Sequence, residues 1–200
     1  MAASLTSTDL TLDNTSGASI PGTPSAGQTV IYPKDDKLLY YKNDAGQELP
    51  PGKVVQVVNF QTGAMATGTT VIPFDDTIPQ ITEGDQYMTL AITPTNANNI
   101  LLISVNISAV CNNTDVFSTG ALFVDTTANA LHALTSQAGV NQARQMHLIH
   151  RVVAGTTSEL TFRYRQGGDA ASTTTFNGRA GGRLFGDIPK SSITITELTP

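Results

Sequence analysis

The sequence predicts an all-β protein: an antiparallel, jelly-roll-like β-sandwich knob preceded by an extended N-terminal arm and a small β-hairpin neck. Three observations lead to this. Strong helix formers are sparse while Thr, Ser, Asn, Gly and Val abound, a composition that suits strands and turns. Apolar residues recur at period two rather than 3.6 through most of the chain. Turn residues punctuate these runs at the spacing of a sandwich, giving about eight to ten short strands. A chain of 200 residues can bury a sizeable core without covalent staples. Its single cysteine, Cys111, excludes an intrachain disulfide and a multi-cysteine zinc site.

Residues 1–28 are nearly all small or polar, and Pro21 and Pro24 force extended backbone. Leu5, Leu10, Leu12 and Ile20 are the apolar groups of this arm and its candidates for docking onto a partner. Residues 29–52 form the neck. Val30-Ile31-Tyr32 and Lys37 to Lys42 read as two strands joined by Pro-Lys-Asp-Asp and followed by an Asn-Asp-Ala-Gly turn. Pro50-Pro51-Gly52 marks a boundary, and residues 53–200 form the knob.

Within the knob, Met88, Leu90 and Ile92 alternate with Tyr87, Thr89 and Ala91. Leu101, Ile103, Val105 and Ile107 alternate with Leu102, Ser104 and Asn106. The same pattern runs through Met146 to Val152, Leu160 to Tyr164 and Ile193 to Ile195, so each of these is a strand with one buried face. Further strands are expected at Val54–Phe60, Met65–Ile72, Val116–Val124 and Ala130–Leu134. Asp125 to Val140 reads as a long loop holding one short strand, because its apolar residues sustain no helical period.

Residues 72–94 raise the question of chemistry. Pro73 and Pro79 remove ladder donors, while Asp75, Asp76 and Gly84-Asp85 are turn-forming types, so the segment reads as a rigid connection. Asp75, Asp76, Glu83 and Asp85 are also oxygen donors suited to calcium. Adjacent carboxylates on an extended chain point apart, however, and the spacing of a calcium-binding loop is absent. His147 and His150 face opposite sides of a strand, and His132 has no evident partner, so no shared metal site is expected. No Gly-x-Ser-x-Gly, GxGxxG or Walker pattern occurs, and no cofactor is expected.

The net charge of −5 is uneven: residues 51–140 carry one Lys against six acids, and residues 141–200 carry seven Lys or Arg against four acids. This balance lacks the strongly basic face of a nucleic-acid binder. The longest apolar runs are far too short to span a bilayer, so no membrane insertion is expected. In the basic last third, Arg163 and Arg165 share a strand face opposite Phe162 and Tyr164. The loop-rich stretch 166–186 holds Phe176, Asn177, Arg179 and Arg183. Loops at the end of a β scaffold are where binding residues tend to lie, so these six residues are the candidates for contact with an anionic glycan or lipid head group. The competing reading is a solvated or salt-bridged strand face.

The run Pro73-Phe74-Asp75-Asp76-Thr77-Ile78-Pro79-Gln80-Ile81-Thr82-Glu83-Gly84, followed by a strand ending in Ile92-Thr93-Pro94, resembles one that recurs in bacteriophage tail-fibre and other virion proteins. Upstream, Thr23-Pro24-Ser25-Ala26-Gly27 precedes a Tyr/Lys-rich hairpin, Tyr32 to Lys42, that is similar to a short fibre segment. The departures from it are Asp36 and the doubled Leu38-Leu39. Ile193 to Leu198 looks like the closing strand of such proteins. The three patches cover well under half of the chain and specify a scaffold rather than a catalytic motif.

The resemblance implies a homotrimeric virion protein made in the bacterial cytoplasm, anchored to tail or capsid proteins by its N-terminal arm. The expected function is that of a tail fibre or receptor-binding protein, meeting a host surface glycan or protein and catalysing no reaction. The alternatives are a capsid decoration or head-fibre protein and, less favoured, a small glycan-processing enzyme built on paired carboxylates.

Overall fold

The period-two runs form strands in the computed structural model, which describes residues 21–34, 39–46, 48–49, 54–112 and 116–200. Leu5, Leu10, Leu12 and Ile20 lie outside the described residues, as does the expected turn at 35–38. The chain divides into two compact units, Met1–Lys53 and Val54–Pro200.

In the first unit, β1 (Thr29–Pro33) pairs antiparallel with β2 (Leu39–Asn43), which pairs with β3 (Glu48–Leu49). The Tyr32 hydroxyl donates to Glu48 at 2.6 Å, and Lys34 forms an ion pair with the same carboxylate. Residues 21–28, expected to belong to the arm, are instead tied to this hairpin. Lys42 Nζ donates to the Pro21 carbonyl at 3.0 Å, and the Gly27 N–H donates to Asp44 Oδ2 at 2.7 Å.

The second unit is an antiparallel sandwich. Its main strands are β4 (Val54–Thr62), β5 (Ala66–Gly68), β6 (Asp85–Ile92), β7 (Ile100–Cys111), β8 (Val116–Val124), β9 (His132–Ala138), β10 (Arg144–Val153), β11 (Leu160–Gly168) and β12 (Thr174–Phe176). A two-stranded ribbon, β13 (Gly178–Arg179) with β14 (Gly182–Arg183), precedes the closing strand β15 (Ser191–Leu198). The first sheet runs β4-β15-β7-β10, with β12 and β5 extending it beyond the end of β15. The second runs β6-β11-β8-β9.

The pairs nest. β8·β9 sits inside β7·β10 in chain order, β6·β11 encloses both, and β4·β15 lies outermost. One long antiparallel ribbon is thus rolled into two sheets, which is the jelly-roll arrangement. Leu101, Ile103, Val105, Leu148, Ile193 and Ile195 from one sheet meet Met88, Ile92, Leu122, Phe162 and Tyr164 from the other in a single core.

The Tyr164 hydroxyl is held inside this core. It donates to Gln166 Oε1 at 2.8 Å, and Gln166 Nε2 donates to Ser118 Oγ at 2.7 Å. Gly120 makes this possible, because a Cβ there would lie 2.2 Å from that hydroxyl oxygen.

Two elements differ from the sequence expectation. Of Met65–Ile72 only Ala66–Gly68 is paired, since the backbone of Val71 and Ile72 bonds to Gly84 and Gly168 outside any ladder. The short strand expected at Ala130–Leu134 is displaced to His132–Ala138, where β8 supplies seven register partners.

The proline-bearing segment 72–84 lies as a strap over the outer face of the second sheet. Phe74 stacks on Phe117 with centroids 4.3 Å apart. The Ile81 N–H donates to the Ala128 carbonyl, and the Ala130 N–H to the Pro79 carbonyl. Ile72, Ala121 and Phe123 form a second small core beneath it, so β8 is buried on both faces.

Candidate functional site

The outer face of the first sheet has no such cover among the described residues. Register fixes four rows of four outward side chains across β4, β15, β7 and β10. One row is Val57, Thr196, Leu102 and Arg151; the next is Asn59, Thr194, Ser104 and Ile149. Arg151 is the single permanent charge among these sixteen positions, and His147 the one other titratable group. Val57 is 56% exposed and Ile149 51%. Among the described residues the flanking strand β4 pairs only with β15, and it carries no charge over its nine residues, only Val, Phe, Thr and the amides Gln56, Asn59 and Gln61.

The six residues expected to touch a host surface do not form one surface. Arg163 Nε donates to the Asp125 carbonyl at 2.9 Å. Arg165 donates to the carbonyls of Glu83 at 2.8 Å and Gly84 at 2.7 Å. Both are half-buried and clamp loops. Arg179 Nε donates to the Asn141 carbonyl at 2.9 Å, and Arg183 pairs with Asp187 at 2.7 Å; these two stay exposed.

Phe176 and Asn177 are corrected outright. Phe176 is 2% exposed and stacks on Tyr87 with centroids 4.7 Å apart, while Asn177 is 0% exposed. Asn177 adopts φ 52°, a left-handed conformation that Asn tolerates. Its amide donates to the carbonyls of Thr62 and Ala64, and it accepts from the Ser191 hydroxyl at 2.6 Å. It is the root of a loop rather than its tip.

Asp75, expected to shape a turn, does so. Asp75 Oδ1 accepts from the Thr77 N–H at 2.8 Å and from its hydroxyl at 2.6 Å. These bonds hold the Asp75 carboxyl below its ordinary value of 3.8. Asp75→Ala is expected to lower the melting temperature slightly and leave binding of any partner unchanged. Aspartate's contribution is present above its ordinary value and fades as pH falls through the lowered one. Thermal melts of both proteins across the acid range check this. Among the described residues no group of three or more His, Cys, Asp or Glu is placed to hold a metal ion.

Two features escaped the sequence. His132 does have a partner: its ring meets His150 edge-on at 5.9 Å, where edge strands β9 and β10 adjoin. Burial first, and then repulsion from His132, lowers the pKa of His150 below 6.5. Glu197 is fully buried at the other feature. Its carboxylate accepts from Asn99 Nδ2 at 2.6 Å, from the N–H and hydroxyl of Thr95 at 2.8 Å each, and from Gln56 Nε2.

In β4, Val54-Val55-Gln56-Val57-Val58 places apolar groups on both parities, and Val54 and Val57 are both exposed.

No protein-family model matches the chain, and no curated protein matches it. Among solved structures, the Eiger TNF of S. frugiperda is similar at 10% identity and a TM-score of 0.42, over 74% of this chain and 94% of that one. A structure of infectious bursal disease virus, Gt strain, is similar at 8% identity and a TM-score of 0.38, over 81% of this chain and 44% of that one. The enzymatically active domain of bacteriophage CBA120 tailspike protein 4 is similar at 14% identity and a TM-score of 0.27, over 62% of this chain and 19% of that one. The all-β sandwich stands on the strand pairing of the chain itself.

Proposed function

We propose that this chain is a homotrimeric structural protein of a bacteriophage virion, a fibre or receptor-binding protein whose sandwich is displayed toward the host surface. The observation that carries the assembly is the contrast between the two sheets. The second sheet is covered by the chain's own strap, whereas among the described residues the first leaves uncovered a face with one permanent charge, Arg151, and an uncharged nine-residue edge.

Proteins blunt exposed edge strands with charge, proline or cover, and β4 has neither charge nor proline. Edge and face are different surfaces, so one copy's edge meets the next copy's face, and such head-to-tail contacts close into a ring of three when each step turns by a third of a circle. Many copies on one particle add avidity to weak single contacts. The virion assignment rests on the resemblance of residues 73–94 and 23–42 to fibre segments.

A second reading is favoured by one observation. β3 ends at Leu49 and β4 begins at Val54, which leaves no room for a long shaft. The same build, anchored on the shell, is a capsid decoration or head-fibre protein.

Light scattering of the purified full chain is expected to give three times the chain mass. Val57→Glu with Ile149→Glu is expected to give a folded monomer, because the edge of one copy would then bury unpaired carboxylates on the face of the next. A wild-type monomer, or a double variant that stays trimeric, overturns the assembly. Antibody label against residues 53–200 on intact particles separates the readings: at the tail it supports adhesion, over the head it supports decoration, and on neither it overturns both.

A further inference from the structure

The loops 62–65, 139–145 and 177–190 gather at the end of the sandwich opposite the one where residue 54 enters. Asn177 bonds to Thr62 and Ala64, Arg179 bonds to Asn141, and Lys190 lies beside Gly63. On this rigid base the chain makes a turn that points apolar groups outward. Phe185 is 80% exposed and Ile188 75%, the two most exposed large hydrophobic side chains described.

The backbone holds them there against ordinary preference. Phe185, Gly186 and Asp187 all have positive φ, at 47°, 62° and 68°. The turn is closed by the Arg183–Asp187 ion pair and by the Asp187 N–H donating to the Leu184 carbonyl. The charged residues in these three loops are Arg144, Arg179, Arg183 and Lys190 against Asp187 alone, and Asp187 is already paired. Exposed apolar groups within a loop cluster of net positive charge match an interface whose surface is anionic and whose interior is apolar.

We propose that the 183–190 turn docks onto a lipid surface carrying phosphate headgroups. Phe185 and Ile188 enter the acyl boundary, and Arg144, Arg179 and Lys190 face the phosphates. The two apolar side chains favour a lipid over a soluble polysaccharide, which offers nothing for them to enter. The proposal gives the adhesion reading its partner class, yet its test is independent of where the chain sits on a particle.

The chain contains no tryptophan, so Phe185→Trp introduces one reporter. Full chain carrying Phe185→Trp is mixed with phosphatidylcholine vesicles, with and without phosphatidylglycerol. A blue-shifted emission with the anionic vesicles, weaker with neutral ones and with added salt, is expected. In co-sedimentation, Phe185→Ser with Ile188→Ser is expected to lower partitioning of the otherwise native sequence at least about tenfold. Arg144→Gln and Lys190→Gln are expected to lower it by about fivefold each. Equal sedimentation of the wild type and the apolar double variant overturns the proposal. So does a blue shift already present without lipid in an oligomer that Phe185→Ser with Ile188→Ser dissociates, since the turn is then covered by another copy.

Discussion

Ile103→Asp is expected to abolish the sandwich. Ile103 is fully buried in β7, opposite Ile195 of β15 and His150 of β10, and its side chain points into the core shared by both sheets. A carboxylate there has no permanent cation to meet, only the His150 imidazole that burial holds toward its neutral form, and burying a poorly paired charge costs several kcal/mol against a total stability of about 5–15 kcal/mol. Loss of the near-UV circular dichroism signal and of soluble expression is the expected result. Ile103→Val, which removes one methyl group, is expected to cost only about 1 kcal/mol and to stay folded. A soluble aspartate variant with the wild-type melting temperature would remove Ile103 from the core face.

The second large effect is at Glu197. Removing its carboxylate strands the buried Asn99 amide, at about 1–3 kcal/mol, and takes further bonds from half-buried Gln56 and exposed Thr95, which water can partly replace. Partial relaxation brings Glu197→Ala to roughly 3 kcal/mol in all, a fall of about 6–12 °C in melting temperature for a domain of this size.

The pH dependence follows from the same bonds. Burial alone would raise the Glu197 pKa, but hydrogen bonds from Asn99, Gln56 and Thr95 outweigh it and hold the carboxyl below 4.5. The stability it contributes is therefore complete above about pH 4.5, the unfolded value, and is lost as pH falls through the lowered folded value. Urea melts of Glu197→Gln are expected to start from lower stability at neutral pH and to lose less of it on acidification. An identical acid slope in both proteins would show that folding does not lower the pKa of this carboxyl.

Strands were legible wherever one face is core and the other is not. Leu101, Ile103, Val105 and Ile107 alternate with Leu102, Ser104 and Asn106 because β7 has the sandwich interior on one side only. The strap was half legible. Pro73 and Pro79 rule out a ladder, but only the fold shows that Phe74 rests on Phe117.

Partnerships between distant residues were not legible. Glu197 finds Asn99 and Gln56 across 98 and 141 residues of chain, and nothing local marks it as buried. His132 and His150 meet because β9 and β10 are edge strands of different sheets, a fact of topology. Phe176 and Asn177 were misplaced for a related reason. A glycine-rich neighbourhood signals turns, yet a turn whose Asn side chain satisfies inward carbonyls has the same composition as one that faces water.

The position of β15 governs when the sandwich can form. It is the last strand to be synthesised, yet it lies between β4, the first of the sandwich, and β7. Until residues 191–198 leave the ribosome, β4 has no ladder partner and Leu101, Ile103 and Val105 lack the neighbours that seal them. Folding of this unit is therefore deferred until after its translation. A nascent chain stalled before Ser191 would present open strand edges to chaperones and to other nascent copies on the same message.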